Sequence, residues 1–134
     1  MGTPEQESAV ILVADGEERV LQQVSSTLEK AGFTVFTALG RSAALDFCRE
    51  RKESVQLAII DMAMGASGPE LALELYQSSP DVRVLFTSNQ DEPDIIQQAG
   101  PSGHFRGFLK KPFRRSKLLG SVLRAMDAPL ARTA

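Results

Sequence analysis

The sequence contains one cysteine and one histidine. Because Cys48 has no second cysteine to pair with, an intramolecular disulfide is excluded, as suits a protein of the reducing cytoplasm. With His104 as the single histidine, a zinc site built from several histidine and cysteine ligands is excluded as well. The same scarcity argues against catalysis that relies on histidine.

The sequence also lacks a long apolar run and a strong net charge. No apolar stretch approaches the roughly 20 residues that a membrane-spanning helix requires. The first residues, MGTPEQES, lack the basic region and apolar run of a secretory signal. At a net charge of -2, bulk electrostatics give no reason to expect a nucleic acid as partner. We therefore expect a cytoplasmic protein that binds neither membranes nor nucleic acids.

Strand-like and helix-like segments alternate along the chain. Short runs rich in apolar or β-branched residues predict strands at 9–14, 33–37, 55–60, 82–87 and 108–110. Helical spacing predicts helices from Glu17 to a cap at Gly32, over 42–51, over 67–77, over 92–99, and from Leu118 to Met126 after the KPF motif, with a loop at 100–107. Five β–α units predict an α/β fold, a doubly wound parallel sheet with helices on both faces. We expect one domain over 8–127, with tails at 1–7 and 128–134.

Polar side chains follow four of the predicted strands. Asp15 follows the first strand, Asp61 the third, Thr87 ends the fourth, and Lys111 follows the fifth. In folds of this kind the carboxyl ends of the strands form the ligand site. Carboxylates that lie close together need a cation between them, and Mg²⁺ prefers such hard oxygen ligands. With a lysine and a threonine hydroxyl nearby, these are the parts that could stabilise a phosphoryl group on a carboxylate.

Four motifs in this order, ILVADGEE, LAIIDMAM followed by SGPELA, VRVLFTS and FLKKPF, resemble the receiver domain of two-component response regulators (CheY-like). The resemblance covers 8–127. It implies a flavodoxin-like sheet in the order 2-1-3-4-5. It also implies a phosphorelay role, in which Asp61 accepts a phosphoryl group from a partner histidine kinase or phosphotransfer protein. Any catalysis would be limited to self-phosphorylation and self-dephosphorylation on Asp61.

The resemblance assigns further residues to the site. It implies that Asp15, Asp61 and the backbone carbonyl of Ala63 hold Mg²⁺. It implies that Thr87 and Lys111 contact the phosphoryl oxygens.

The resemblance also implies a switch and a backbone feature. Thr87 would act as a switch residue together with Phe108, at the position of the switching aromatic. The bond between Lys111 and Pro112 would be cis.

The sequence departs from this family at several points. The family usually has two adjacent acids after the first strand, but here Gly16 stands in the second position and lacks the usual metal carboxylate, which would weaken Mg²⁺ binding. Glu17 is the alternative ligand, displaced by one residue. The loop after Asp61 lacks the usual proline and is shortened. The loop before the fifth strand is long, and with the SGPELA helix start it is similar to that of receivers attached to hybrid histidine kinases.

Three functions stay open at this point. The first is a phosphorylation switch that alters the face of predicted helix 92–99, the fifth strand and the last helix, a face that could also form a homodimer. The second, prompted by Gly16, is a degenerate pseudo-receiver that binds proteins without phosphorylation. The third is a flavodoxin-like cofactor binder, which is disfavoured because no phosphate loop rich in glycine, serine and threonine follows the first strand.

Overall fold

The computed structural model describes residues 9–51, 55–64, 68–91 and 105–127. The strands are β1 (Val10–Ala14), β2 (Thr34–Ala38), β3 (Val55–Asp61), β4 (Arg83–Ser88) and β5 (Phe105–Lys110). The helices in these ranges are α1 (Glu18–Lys30), α2 (Arg41–Arg51), α3 (Gly68–Ser78) and α4 (Arg115–Asp127).

The strands form one parallel sheet in the order β2-β1-β3-β4-β5. This confirms the predicted fold class. Every residue of β1 is buried, and β3 and β4 are buried over most of their length. Their continuous apolar runs suit strands that are covered on both faces. Because all the strands run in one direction, their carboxyl ends lie at the same edge of the sheet.

Two apolar cores, one on each face of the sheet, are formed where the helices pack against the strands. Successive side chains of a strand point to opposite faces, so Leu12 and Ile60 join one core and Ile11 and Ile59 the other. The first core packs against the apolar sides of α2 and α3, and the second against those of α1 and α4. Each helix thus covers one face of the sheet.

The predicted loop at 100–107 is wrong for its last three residues, which belong to β5. Phe105 continues the ladder with β4, and its ring centroid lies 5.6 Å from that of Phe86. The ladder then skips one residue, and Gly107 pairs with Leu85 at a φ of 144°. A glycine at such a φ permits this bulge, and its presence in the FRGF motif concealed the strand.

Several predictions lie outside the described residues. These are the helix at 92–99, Ser67, His104 and the tails at 1–7 and 128–134. In the part of the chain that the structure describes, no helix combines the length and the apolar character needed to cross a membrane.

Replacing Gly107 by alanine tests the bulge. At a φ of 144° an L side chain is strained, and the new Cβ would lie 3.3 Å from Leu85 Cδ1. We expect Gly107→Ala to lower the free energy of unfolding by about 1–3 kcal/mol. Gly16→Ala is the matched control, because a Cβ there meets nothing within 4 Å. Urea denaturation would measure the free energy of unfolding of both variants, provided that its slope against urea concentration is unchanged. Equal stabilities would contradict the role assigned to Gly107.

Candidate functional site

Four predicted site residues converge at the carboxyl edge of the sheet. Asp15 directly follows β1, Asp61 ends β3, Thr87 lies near the end of β4, and Lys111 directly follows β5. Asp61 and Thr87 are paired across neighbouring strands. The fold therefore brings together residues that are up to 96 positions apart in the chain.

Backbone hydrogen bonds hold these residues beyond the regular ladders. The amide of Asp15 donates to the carbonyl of Ala38 at 3.2 Å. The amide of Met62 donates to the carbonyl of Thr87 at 2.9 Å, and the amide of Lys111 donates to the carbonyl of Ser88 at 2.8 Å. These bonds fix the main chain, so the positions of the side chains depend little on loop conformation.

The ammonium group of Lys111 lies between the two carboxylates. Its Nζ is 2.8 Å from Asp15 Oδ2 and 3.6 Å from Asp61 Oδ2. Burial by itself would lower the pKa of Lys111. The hydrogen bond to Asp15 and the negative charges of Asp15, Asp61 and Glu17 outweigh burial and hold that pKa above its ordinary value. Lys111 is thus a permanent cation at neutral pH.

The other oxygens of the two carboxylates accept backbone hydrogen bonds. The amide of Glu17 donates to Asp15 Oδ1 at 2.9 Å, and the amide of Ala63 donates to Asp61 Oδ1 at 3.2 Å. The side chain of Asp15 is 2% exposed and that of Asp61 is 16% exposed. Of the two carboxylates, Asp61 is the more accessible from solvent.

The position of Gly16 is open and exposed. A Cβ added there would meet no atom within 4 Å. The next residue, Glu17, is exposed and lines a cavity of about 280 Å³. The other residues that line this cavity are Val20, Gln23, Asn89, Lys111, Pro112 and Phe113. Within the described ranges, no group of three or more acidic, histidine or cysteine side chains is positioned to hold a metal ion. Glu17 therefore does not join Asp15 and Asp61 as a third carboxylate.

The two predicted switch residues lie on neighbouring strands. Thr87 is buried at 2% exposure, next to Asp61 in the sheet. Phe108 is half-buried in β5, is paired with Phe86, and packs against the core beneath α2 and α3. The bond between Lys111 and Pro112 is cis, which confirms the expectation from the resemblance.

Gly68 is a contributor to the site that the sequence analysis missed. It opens α3 and donates its amide to the carbonyl of Met62 at 2.9 Å. A Cβ at this position would lie 2.5 Å from the carbonyl oxygen of Asp61 and 2.8 Å from Met62 Cα. Only a residue without a side chain lets α3 begin directly against the main chain of Asp61. The signal available in the sequence was a glycine in a first helical turn, where it has low helix propensity.

The sequence of the chain matches a known family. The model of the response regulator receiver domain matches residues 11–123. The chain is similar to the sensor kinase CckA of Brucella abortus, with 29% identity over 90% of this chain and 13% of CckA. It is also similar to the C4-dicarboxylate transport transcriptional regulatory protein DctD of Pseudomonas aeruginosa, with 30% identity over 87% of this chain and 25% of DctD. The chain thus spans a quarter or less of these two relatives.

Solved structures show the same fold. A response regulator receiver domain protein from Clostridium thermocellum superposes with a TM-score of 0.77 at 27% identity, over 89% of this chain and 94% of the other. A response regulator from Thermotoga maritima gives a TM-score of 0.74 at 27% identity, over 89% and 98% of the two chains. Both similarities cover nearly all of the compared domains, so they support the fold of the chain and its strand order.

Replacing Gly68 by alanine tests the contact between α3 and the main chain of Asp61. Since the new Cβ would overlap a backbone oxygen, we expect a loss of about 1–3 kcal/mol in the free energy of unfolding. We also expect shifted amide resonances from Met62 to Met64. Gly120→Ala is the control, because a Cβ there approaches only the flexible end of Arg124, at 3.3 Å. Unchanged resonances after Met62 in the Gly68 variant would refute the contact.

Proposed function

Since the chain belongs to the response regulator receiver domain family, we propose that Asp61 accepts a phosphoryl group from a partner histidine kinase or phosphotransfer protein. The position of Asp61 carries this proposal. Its carboxylate is partly exposed at the carboxyl edge of the sheet, with Lys111 Nζ at 3.6 Å and Thr87 on the adjacent strand. A nucleophile, a fixed cation and a hydroxyl group thus lie within one small region.

The proposed reaction is a phosphoryl transfer. An oxygen of Asp61 forms a bond to phosphorus while the bond between phosphorus and the imidazole nitrogen of the donor breaks. The imidazole leaves with the electron pair of that bond and takes up a proton. Lys111 then offsets the charge of the new acyl phosphate, and the Thr87 hydroxyl donates to one of its oxygens. Hydrolysis of the bond between the Asp61 oxygen and phosphorus would return Asp61 to its free state.

Receiver domains generally bind Mg²⁺ at an acidic pocket, and the donors here fit that ion. Asp15 and Asp61 supply two carboxylates, and we propose the backbone carbonyl of Ala63 as a third oxygen. Mg²⁺ typically binds through one or two carboxylates together with phosphate oxygens and water. When bound, it supplies positive charge for the phosphoryl oxygens. Because Gly16 contributes no carboxylate, we expect weaker binding than two adjacent acids would give.

We propose Thr87 and Phe108 as the residues that respond to phosphorylation. A phosphoryl group on Asp61 adds negative charge and acceptor oxygens beside Thr87. A shift of Thr87 toward them would alter the packing of β4 against β5, where Phe108 is half-buried. The new surface would then be read by a partner, or by a second copy of the chain.

A second candidate function is that of a pseudo-receiver, and two observations favour it. Gly16 leaves the pocket one carboxylate short, and Asp15 is already bound by Lys111 at 2.8 Å. If the protein works in this way, it binds its partner without phosphorylation.

The cellular setting is also a proposal. The similarity to a segment of CckA, a sensor kinase, favours attachment to a hybrid histidine kinase. A cytoplasmic location agrees with the single cysteine and with histidine kinases as phosphoryl donors.

Mass spectrometry of the intact protein tests the phosphoacceptor. Incubation with acetyl phosphate and Mg²⁺ should add one phosphoryl group to the wild type and none to Asp61→Asn. Asp91→Asn is the matched control, because Asp91 also follows a strand but is exposed and paired with Lys110 at 2.8 Å. That variant should be phosphorylated like the wild type. An adduct that persists in Asp61→Asn would place the phosphoryl group elsewhere.

Replacing Gly16 by aspartate separates the two candidate functions. The open space at this position accommodates a side chain, and a third carboxylate would add a ligand and a negative charge. We expect Gly16→Asp to tighten Mg²⁺ binding by about ten-fold or more, since the number of charged ligands tunes affinity. Gly16→Asn, with nearly the same shape and no charge, should have a much smaller effect in the same calorimetric titration.

The two candidates predict different phosphorylation of the wild type. If only Gly16→Asp forms the adduct, the natural protein is a pseudo-receiver. If Gly16→Asp binds Mg²⁺ no more tightly than the wild type, Gly16 does not limit metal binding.

A further inference from the structure

Positive charge is concentrated in β5, the connection after it and α4. Residues 105–127 contain seven of the 15 lysines and arginines and one of the 17 acidic residues. This segment therefore has a net charge of +6, while the rest of the chain has -8 and the total is -2. The small total charge conceals a strong separation of charge between this segment and the rest of the molecule.

The exposed cations on and beside α4 have no ion pair with any acidic side chain that the structure describes. Arg114, Arg115, Lys117 and Arg124 are all exposed. Apart from Asp127, whose side chain is outside the described part of the chain, no described acidic side chain forms an ion pair with any of them. Arg124 instead lies near Ser121 Oγ, at 3.5 Å. Three other cations do have acidic partners: Arg41 pairs with Glu70 and Glu74, Arg49 with Asp46, and Lys110 with Asp91.

An apolar ridge lies between these charges. Leu119, Leu123 and Met126 follow one another at intervals of four and three residues, so they share one side of α4. Leu123 is 51% exposed, and the other two are half-buried at the edge of the core. We call this ridge, together with Arg115, Lys117 and Arg124, the basic face of α4. An apolar centre with a charged rim is the usual anatomy of a protein–protein interface.

We propose that the basic face of α4 docks an acidic segment of a partner protein. Apolar side chains of the partner would pack on Leu123, and its carboxylates would pair with Arg115, Lys117 and Arg124. This inference does not depend on phosphorylation of Asp61, because the charges and the ridge are present in the unmodified protein.

Two other occupants fit the basic face less well. A nucleic acid would extend past α4, which is only about 20 Å long, toward the acidic remainder of the molecule. It would also leave the exposed Leu123 without an apolar contact. A second copy packed through the same face by a two-fold axis would bring Lys117 and Arg124 of one copy toward the same cations of the other. An acidic protein segment meets neither objection.

A labelled synthetic peptide provides the probe. It would be a helix of about 20 residues with leucines at positions i, i+4 and i+7 and glutamates on both sides of them. We expect saturable binding to the wild type, measured by fluorescence anisotropy, that weakens as salt rises from about 50 mM to about 300 mM. The variant Arg115→Glu, Lys117→Glu, Arg124→Glu should weaken binding by about ten-fold or more. Leu123→Ser should also weaken it, but with unchanged salt dependence.

Charge-matched controls decide whether the site is specific. The variant Arg19→Glu, Lys30→Glu, Arg49→Glu changes the net charge equally at exposed positions of α1 and α2, and it should bind the peptide almost as the wild type does. Circular dichroism would establish that all variants are folded. Equal loss of binding in the two triple variants would overturn the proposal.

Competing occupants give different results. Tighter binding of single-stranded DNA of the same net charge would overturn the proposal in favour of a nucleic acid. A wild-type dimer in light scattering that the α4 triple variant dissociates would identify a second copy as the occupant instead. Equal binding of a peptide with lysines in place of the glutamates would show that charge complementarity is absent.

Discussion

Repulsion between two carboxylates is the constraint on which the site depends. The parallel sheet brings Asp15 and Asp61 to one edge, and Asp15 is buried there at 2% exposure. A buried carboxylate is costly unless a positive charge and hydrogen bonds compensate it. Lys111 supplies the charge, and the amide of Glu17 supplies a hydrogen bond. The backbone hydrogen bond from Lys111 to Ser88 holds this lysine at the end of β5, where it forms the ion pair with Asp15.

The same geometry suits the two carboxylates to the different roles that we propose for them. Asp15 has a hydrogen-bond or ion-pair partner for each oxygen at 2.9 Å or less, while Asp61 has looser contacts at 3.2 and 3.6 Å. Asp61 is also the more exposed of the two. A nucleophile has to be reached by its reaction partner and keep a lone pair for it, and those requirements favour Asp61. Asp15 is better suited to hold a cation in place.

The order of the strands and the residues at their ends could be predicted, because both follow from local patterns. Runs such as AVILVA mark buried parallel strands whatever the distant residues are, and the carboxyl ends then share an edge. Features set by contacts between distant units could not be predicted. The bulge at Gly107 depends on the register with β4, and the role of Gly68 depends on the carbonyl of Asp61. The charge of residues 105–127 is visible in the sequence, but only the fold shows that part of it surrounds an exposed ridge.

The site and the basic face of α4 are joined by a short connection. Only Pro112, Phe113 and Arg114 separate Lys111 from Arg115, and Phe113 packs against the core shared with α4. Coupling along such a connection requires an element with two arrangements. If Asp61 is phosphorylated as proposed, Lys111 would provide them, because its ammonium binds Asp15 here and would move toward the phosphoryl group. The second arrangement would weaken the contact with Asp15 and pull on the start of α4. On the proposed function, the ion pair between Lys111 and Asp15 would therefore also be the contact that responds to modification of Asp61.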